Sequence, residues 1–153
     1  MEQKNIKFNR ELFEKHKREL KELNSFISKA QSLLEDKFIC AILIGSRSRF
    51  NFNIGSDIDL LLIGNWVNDK LFDRIDEIKE KVEIPFLPID FFLYQPQEIH
   101  ILIDQGNPMI LDGFTEGICL YNENYFREIK NKINSYRQNG LINKEGKLWK
   151  ISK

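Results

Sequence analysis

The stretch Phe38-Ile39-Cys40-Ala41-Ile42-Leu43-Ile44-Gly45-Ser46, followed after ten residues by Asp57-Ile58-Asp59-Leu60-Leu61-Leu62-Ile63, decides the fold. Apolar runs of this length, rich in Ile and Leu, read as buried strands. Residues two apart on a strand share a face, so Asp57 and Asp59 project together. Two carboxylates at the mouth of a buried strand repel each other and are costly to desolvate, and a bound cation relieves both effects. Gly45-Ser46, where the first strand leaves its sheet, lets a phosphate approach backbone N–H groups closely. Arg47 and Arg49 in the following loop suit an anionic ligand. The pattern therefore predicts a site for a metal-bound polyphosphate.

Working outward, the chain of 153 residues fits one domain (1–153) with a real core. Its 23 basic and 23 acidic residues balance, which gives no support for bulk nucleic-acid binding. No apolar stretch is long enough to span a membrane, and the Lys/Glu-rich start does not read as a signal peptide, so a cytoplasmic protein without a membrane partner is expected. Cys40 and Cys119 sit inside apolar runs and read as small core residues. With two Cys and two His in all, a structural zinc site is not expected.

Asn9 can cap a helix beginning at Arg10. Leu12, Phe13, His16, Leu20, Leu23, Ile27 and Leu34 then recur near helical spacing. The pattern allows one helix to Glu35 or two broken near Asn24-Ser25, with His16 on the packed side. After the two strands, Asn68-Asp69 opens a helix carrying Leu71, Phe72, Ile75, Ile78 and Val82, closed by Pro85. Residues 88–94 read as a third strand, with Pro88 at its start. Asp90 is the odd residue there, an acid in an apolar run that requires a partner. Pro96 and Asn107-Pro108 open two short helices, and His100 in the first of these reads as structural. Ile118-Cys119-Leu120-Tyr121 is a fourth strand. Asn122 caps a last helix with Phe126, Ile129, Ile133 and Tyr136, stopped by Gly140. The tail 141–153 alternates Leu148 and Trp149 with lysines and either packs on the domain or awaits a partner. Phe50, Phe52 and the tail around Trp149 are expected to face a partner or the nucleotide rather than the core. This order of elements predicts an α/β (α+β) domain around one mixed sheet.

The segment resembles the Gly-Ser-x10-Asp-x-Asp signature of the nucleotidyltransferase superfamily that includes DNA polymerase β. Within it, the chain is most similar to the minimal nucleotidyltransferases (MNT), small prokaryotic proteins often encoded beside a HEPN-domain toxin. Gly45, Ser46, Asp57 and Asp59 occupy the signature positions. Many members continue Gly-Ser-x-Ala-Arg-Gly, where this chain has Gly45-Ser46-Arg47-Ser48-Arg49-Phe50. The resemblance covers about residues 25–121 and implies a small nucleotidyltransferase fold, a mixed sheet of four to five strands flanked by helices. It further implies that Asp90 completes a metal site with Asp57 and Asp59, holding two magnesium ions. Gly45 and Ser46 would then bind triphosphate oxygens, with Arg47 or Arg49 offsetting their charge. The implied reaction moves a nucleoside monophosphate, AMP from ATP, onto a hydroxyl. The implied acceptor is a tyrosine of a HEPN-type toxin that the protein neutralises as an antitoxin, in a homo- or hetero-oligomer. Two other readings stay open: a non-catalytic module masking a HEPN partner, and an antibiotic-modifying transferase. A pure binder need not keep three costly acids, and 153 residues leave little room for the extra helical domain of the latter.

Overall fold

In the computed structural model, residues 2–45 and 57–152 are described, and of residues 2–13 only the helical backbone. Strand β1 (Phe38–Ile44) and strand β2 (Ile58–Gly64) are the two apolar runs. They pair antiparallel at the centre of a four-stranded sheet of order β3-β2-β1-β4. Strand β3 (Ile89–Tyr94) runs parallel to β2, and β4 (Ile118–Tyr121) runs antiparallel to β1. The sheet is mixed, as the sequence predicts.

Because the central strands are covered on both faces, they read as continuous apolar runs rather than as alternating ones. Period two still sorts their side chains. Ala41, Leu43, Ile58, Leu60 and Leu62 face helix α1 (Glu2–Leu34) and helix α2 (Leu71–Lys79), packing with Leu23, Phe26, Ile27, Ala30 and Ile78. Cys40, Ile42, Ile44, Leu61 and Ile63 face the other way, onto α3 (Pro96–Asp104), α4 (Pro108–Glu116) and α5 (Glu123–Gln138). The result is three layers, with helices on both sides of one sheet.

The N-terminal helix starts earlier than Asn9 and runs unbroken past Asn24-Ser25. Leu23, Phe26, Ile27 and Ala30 form one buried stripe across that point, and such packing outweighs the weak helix propensity of Asn and Ser. His16 is buried, as the stripe predicts. Asn107 and Asn122 cap α4 and α5, accepting bonds from Ile110 N at 3.1 Å and Tyr125 N at 3.2 Å. Asn122 adopts a left-handed φ of 71° and also donates to the Ile39 carbonyl of β1 at 2.8 Å.

The tail is a β-hairpin, β5 (Ile142–Glu145) and β6 (Leu148–Ile151). Its Trp149 is half-buried against the α4–α5 side and donates Nε1 to Asp112 Oδ1 at 2.8 Å. This corrects the expectation that Trp149 faces a partner or nucleotide, because an indole needs both apolar cover and an acceptor, and α4 supplies both. Leu148, on the outer side, is 68% exposed. Among the described residues no helix is long and apolar enough to cross a membrane.

Candidate active site

The register of the sheet builds the site. Asp59 lies opposite Ile44 on the antiparallel neighbour and opposite Asp90 on the parallel one. Adjacent strands sit about 4.8 Å apart, so the two carboxyl-bearing residues are lateral neighbours. By strand parity both belong to the face that carries Leu61, Ile63 and Phe92, and Asp57, two residues before Asp59, falls on the same parity. Asp59 is half-buried, while Asp57 and Asp90 are exposed at the sheet edge.

Burial first, then the neighbouring charges of Asp90 and Asp57, raise the Asp59 carboxyl above its ordinary range. Burial and like charge both disfavour the ionised form of Asp59. Gly45 explains how the assembly closes. It ends β1 in a left-handed conformation, φ 72°, and an added Cβ there would collide with the Asp59 carboxylate. Glycine is thus required twice, for its backbone and for its missing side chain.

Beside Asp59 lies a cavity of about 120 Å³ lined by Ile44, Gly45, Asp59, Phe92, Met109, Asp112, Gly113 and Glu116. Gly113 sets its width, since a Cβ at that position would come within 3.1 Å of Ile44 Cγ2. Asp112 and Glu116 lie one turn apart on α4 and both receive Lys144 from the hairpin, at 2.9 and 3.1 Å. Sequence reasoning missed this wall, because acids on a short amphipathic helix read as its solvated side. The usable signal was Gly113 amid Ile110, Leu111 and Phe114, a small residue where apolar neighbours demand close packing.

Of the residues expected in the site, the structure therefore brings Gly45, Asp57, Asp59 and Asp90 to one end of the sheet. Ser46, Arg47 and Arg49, and with them Phe50 and Phe52, lie outside the described residues. Among the described residues no group of three or more His, Cys, Asp or Glu side chains is arranged so as to hold a metal ion. The carboxylates stand as neighbours along the strand ends, not as a closed cage. Their all-oxygen donor set and mutual repulsion nevertheless suit a hard divalent cation. His100, expected to be structural, is exposed on α3 and lies 2.7 Å from Lys132 Nζ.

Residues 13–110 match the nucleotidyltransferase domain family. The chain belongs to that family. The nucleotidyltransferase domain so defined takes in the whole acidic strand-end arrangement. A crystal structure of a candidate nucleotidyltransferase from Sulfolobus solfataricus shares the fold, with a TM-score of 0.52 at 17% identity, over 73% of this chain and 87% of its own. Looser likenesses are the crystal structure of a toxin–antitoxin with AMP-PNP (TM-score 0.48, 18% identity, 76% of this chain, 87% of that one) and that of a mutant of the toxin–antitoxin MntA-HpeT (TM-score 0.49, 17% identity, 76% and 87%). A comparison with curated proteins finds no match.

Proposed function

We propose that this nucleotidyltransferase domain moves AMP from ATP onto a protein hydroxyl, in the manner of the minimal nucleotidyltransferases, and that the acceptor is a HEPN-type toxin which it thereby neutralises. The observation that carries the transferase reading is the pairing of Asp59 with Asp90 in register, with Gly45 closed down on the Asp59 carboxylate. Asp59, half-buried and raised by burial and by its acidic neighbours, costs stability when ionised, and a binding module has no use for such a residue.

In this reading Asp57, Asp59 and Asp90 hold magnesium, which when bound would supply charge stabilisation to the attacking and leaving oxygens of an in-line displacement. Asp90, exposed at the end of β3, would take the proton of the incoming hydroxyl. Gly45 and Ser46 offer backbone N–H groups and a hydroxyl to triphosphate oxygens, with Arg47 and Arg49 neutralising their charge. The toxin assignment rests on the Gly-Ser-x10-Asp-x-Asp resemblance.

The test is release of pyrophosphate from ATP on addition of a HEPN-domain protein, with mass spectrometry of that protein. A mass increase of one AMP, absent with Asp90→Ala, is expected. An unmodified partner that is nonetheless inhibited would show a masking module in place of an enzyme.

A further inference from the structure

Cys40 and Cys119 are the two cysteines of the chain, and neither has a part in the transfer proposed above. Cys40 stands near the start of β1, away from Gly45, and Cys119 lies in β4, beyond the region 13–110 that matches the family. The pairing of the two strands brings them together. Cys119 lies opposite Ile42, and Cys40 shares the face of Ile42, so both thiols belong to the side of the sheet covered by α4 and α5. Between Ala41 and Ile42 the register shifts by one residue, and Leu120 and Tyr121 both pack on the α1 side. At this bulge the two sulfurs converge on consecutive carbonyls. Cys119 donates its thiol to the Tyr121 carbonyl at 3.3 Å, and Cys40 donates to the Asn122 carbonyl at 3.9 Å.

The two thiols are not equivalent. Cys40 is buried and Cys119 half-buried, so a small reagent reaches Cys119 first. The hydrogen bond between the two sulfurs holds Cys119 below the ordinary thiol range in spite of its burial. The same bond, with burial added, pushes Cys40 up. The thiolate is the reactive form of cysteine, which makes the outer sulfur the nucleophile and the inner one its resolving partner. Strand β4 is short, lies at the edge of the sheet and is half-buried throughout. Elements of that kind open before the core does.

We propose that Cys40 and Cys119 are a redox pair which a hydroperoxide closes into a disulfide, stapling the edge strand β4 to β1. The Cys119 thiolate attacks one oxygen of hydrogen peroxide, the O–O bond breaks, and the departing hydroxide takes the proton that the Cys119 thiol gave up. Cys119 is left as a sulfenic acid. The Cys40 sulfur then attacks the Cys119 sulfur, and its own proton leaves with the displaced hydroxyl as water. In sum two thiols lose two electrons and two hydrogens, and the peroxide is reduced to two waters. An external thiol reverses the bridge by exchange. The bridge encloses β2, α2, β3, α3 and α4, a long loop of the kind whose crosslinking restrains the unfolded chain most.

The test treats the full chain with hydrogen peroxide, blocks remaining thiols with N-ethylmaleimide under denaturing conditions, and reads the intact mass and the peptide map. The wild-type protein is expected to lose two hydrogens, take up no maleimide and yield a peptide joining Cys40 to Cys119. Dithiothreitol should restore both thiols. The oxidised protein should melt about 5–10 °C above the reduced one, and the amides of β4 should exchange more slowly. Cys119→Ser should leave Cys40 unoxidised, whereas Cys40→Ala should leave a sulfenic acid on Cys119 that dimedone captures. The map of the wild-type protein decides the matter even where Cys40→Ala does not fold. The proposal is overturned if wild-type Cys119 proceeds to sulfinic acid while Cys40 still takes up maleimide, or if the disulfide that forms joins Cys119 of two copies. A bridge that leaves the melting temperature unchanged would overturn its role as a staple, and oxidation of Cys40 in Cys119→Ser at the wild-type rate would overturn the order of attack.

Discussion

The two ends of the central strands treat charge in opposite ways. At the end where β1 finishes and β2 starts, Asp57, Asp59 and Asp90 gather with no basic partner among the described residues near Asp59 strong enough to reverse its upward shift. At the other end, where β1 starts and β2 and β3 finish, the two buried charges of α2, Arg74 and Glu77, are both answered. Arg74, buried in α2, donates to the Asn68 and Leu93 carbonyls at 2.6 and 2.9 Å and forks onto Glu98 at 2.7 and 3.3 Å. Glu77, one turn on, accepts from Val67 N, Asn68 N and Asn68 Nδ2 at 2.9 to 3.0 Å and pairs with Lys37. Burial pushes the Glu77 carboxyl up, but the bonds from Lys37, Val67 and Asn68 prevail and hold it down to about 2. The same residue types that are left in conflict at one end are reconciled at the other. The satisfied end ties helix, loop and strand together, whereas at the acidic end Asp59 keeps like charges for neighbours.

The largest effect expected from breaking this contrast is at Asp59. Asp59→Asn should lower transfer on the order of 10³–10⁴-fold, as removal of a group acting within one catalytic unit does. The stability of the metal-free protein should move the other way. A carboxyl raised in the folded state contributes stability below its unfolded value of 3.8 and loses it as pH rises through the folded value, so at neutral pH Asp59 costs stability. The variant should melt at or above the wild-type temperature without metal, as differential scanning calorimetry would reveal. A large drop in melting temperature would make Asp59 a structural residue.

At the opposite end, Glu77→Ala strands Lys37 and two backbone N–H groups, and should cost about 3–5 kcal/mol. Thermal unfolding should fall by roughly 10 °C for a chain of this length, with nucleotide binding intact below the new midpoint. A loss of binding at full stability would mean that the two ends are not separable.

Acid titration sharpens the same comparison. Glu77 is depressed from 4.5 to about 2, so its contribution is complete above 4.5 and lost as pH falls toward 2, on the order of 3 kcal/mol. Stability measured by urea denaturation should therefore decline over that window in the wild type and decline less in Glu77→Ala. Parallel curves would assign the acid sensitivity elsewhere.

Gly45→Ala carries the smallest expected effect on folding, about 1–2 kcal/mol for a left-handed non-glycine residue. Its methyl must also displace the Asp59 carboxylate, so activity should fall further than that stability cost accounts for. Equal losses in both would place the strain in the backbone alone.

What the sequence reveals follows the same division. Strands β1 and β2 are legible because both of their faces are buried, and Asp57, Asp59 and Asp90 stand out because an acid beside or within such a run is out of place. The register that sets Asp59 beside Asp90 is not legible, since apolar runs of Ile and Leu slide without changing their pattern. The Arg74–Glu77 strut is hidden too: on an amphipathic helix both residues read as solvent-facing, and only tertiary partners bury them. The hairpin is concealed by its lysines, although Glu145-Gly146 between two short alternating segments is a turn signal. Gly146 takes the positive φ, 62°, that such a turn requires.

The central claim is that the acidic strand ends bind a nucleoside triphosphate through a divalent ion. Isothermal titration calorimetry with ATP, once with magnesium and once with a chelator, measures this most directly. The account predicts saturable binding with magnesium, none with the chelator, and none in either for Asp57→Asn with Asp59→Asn. Equal affinity in both buffers, unchanged by the double substitution, would contradict it.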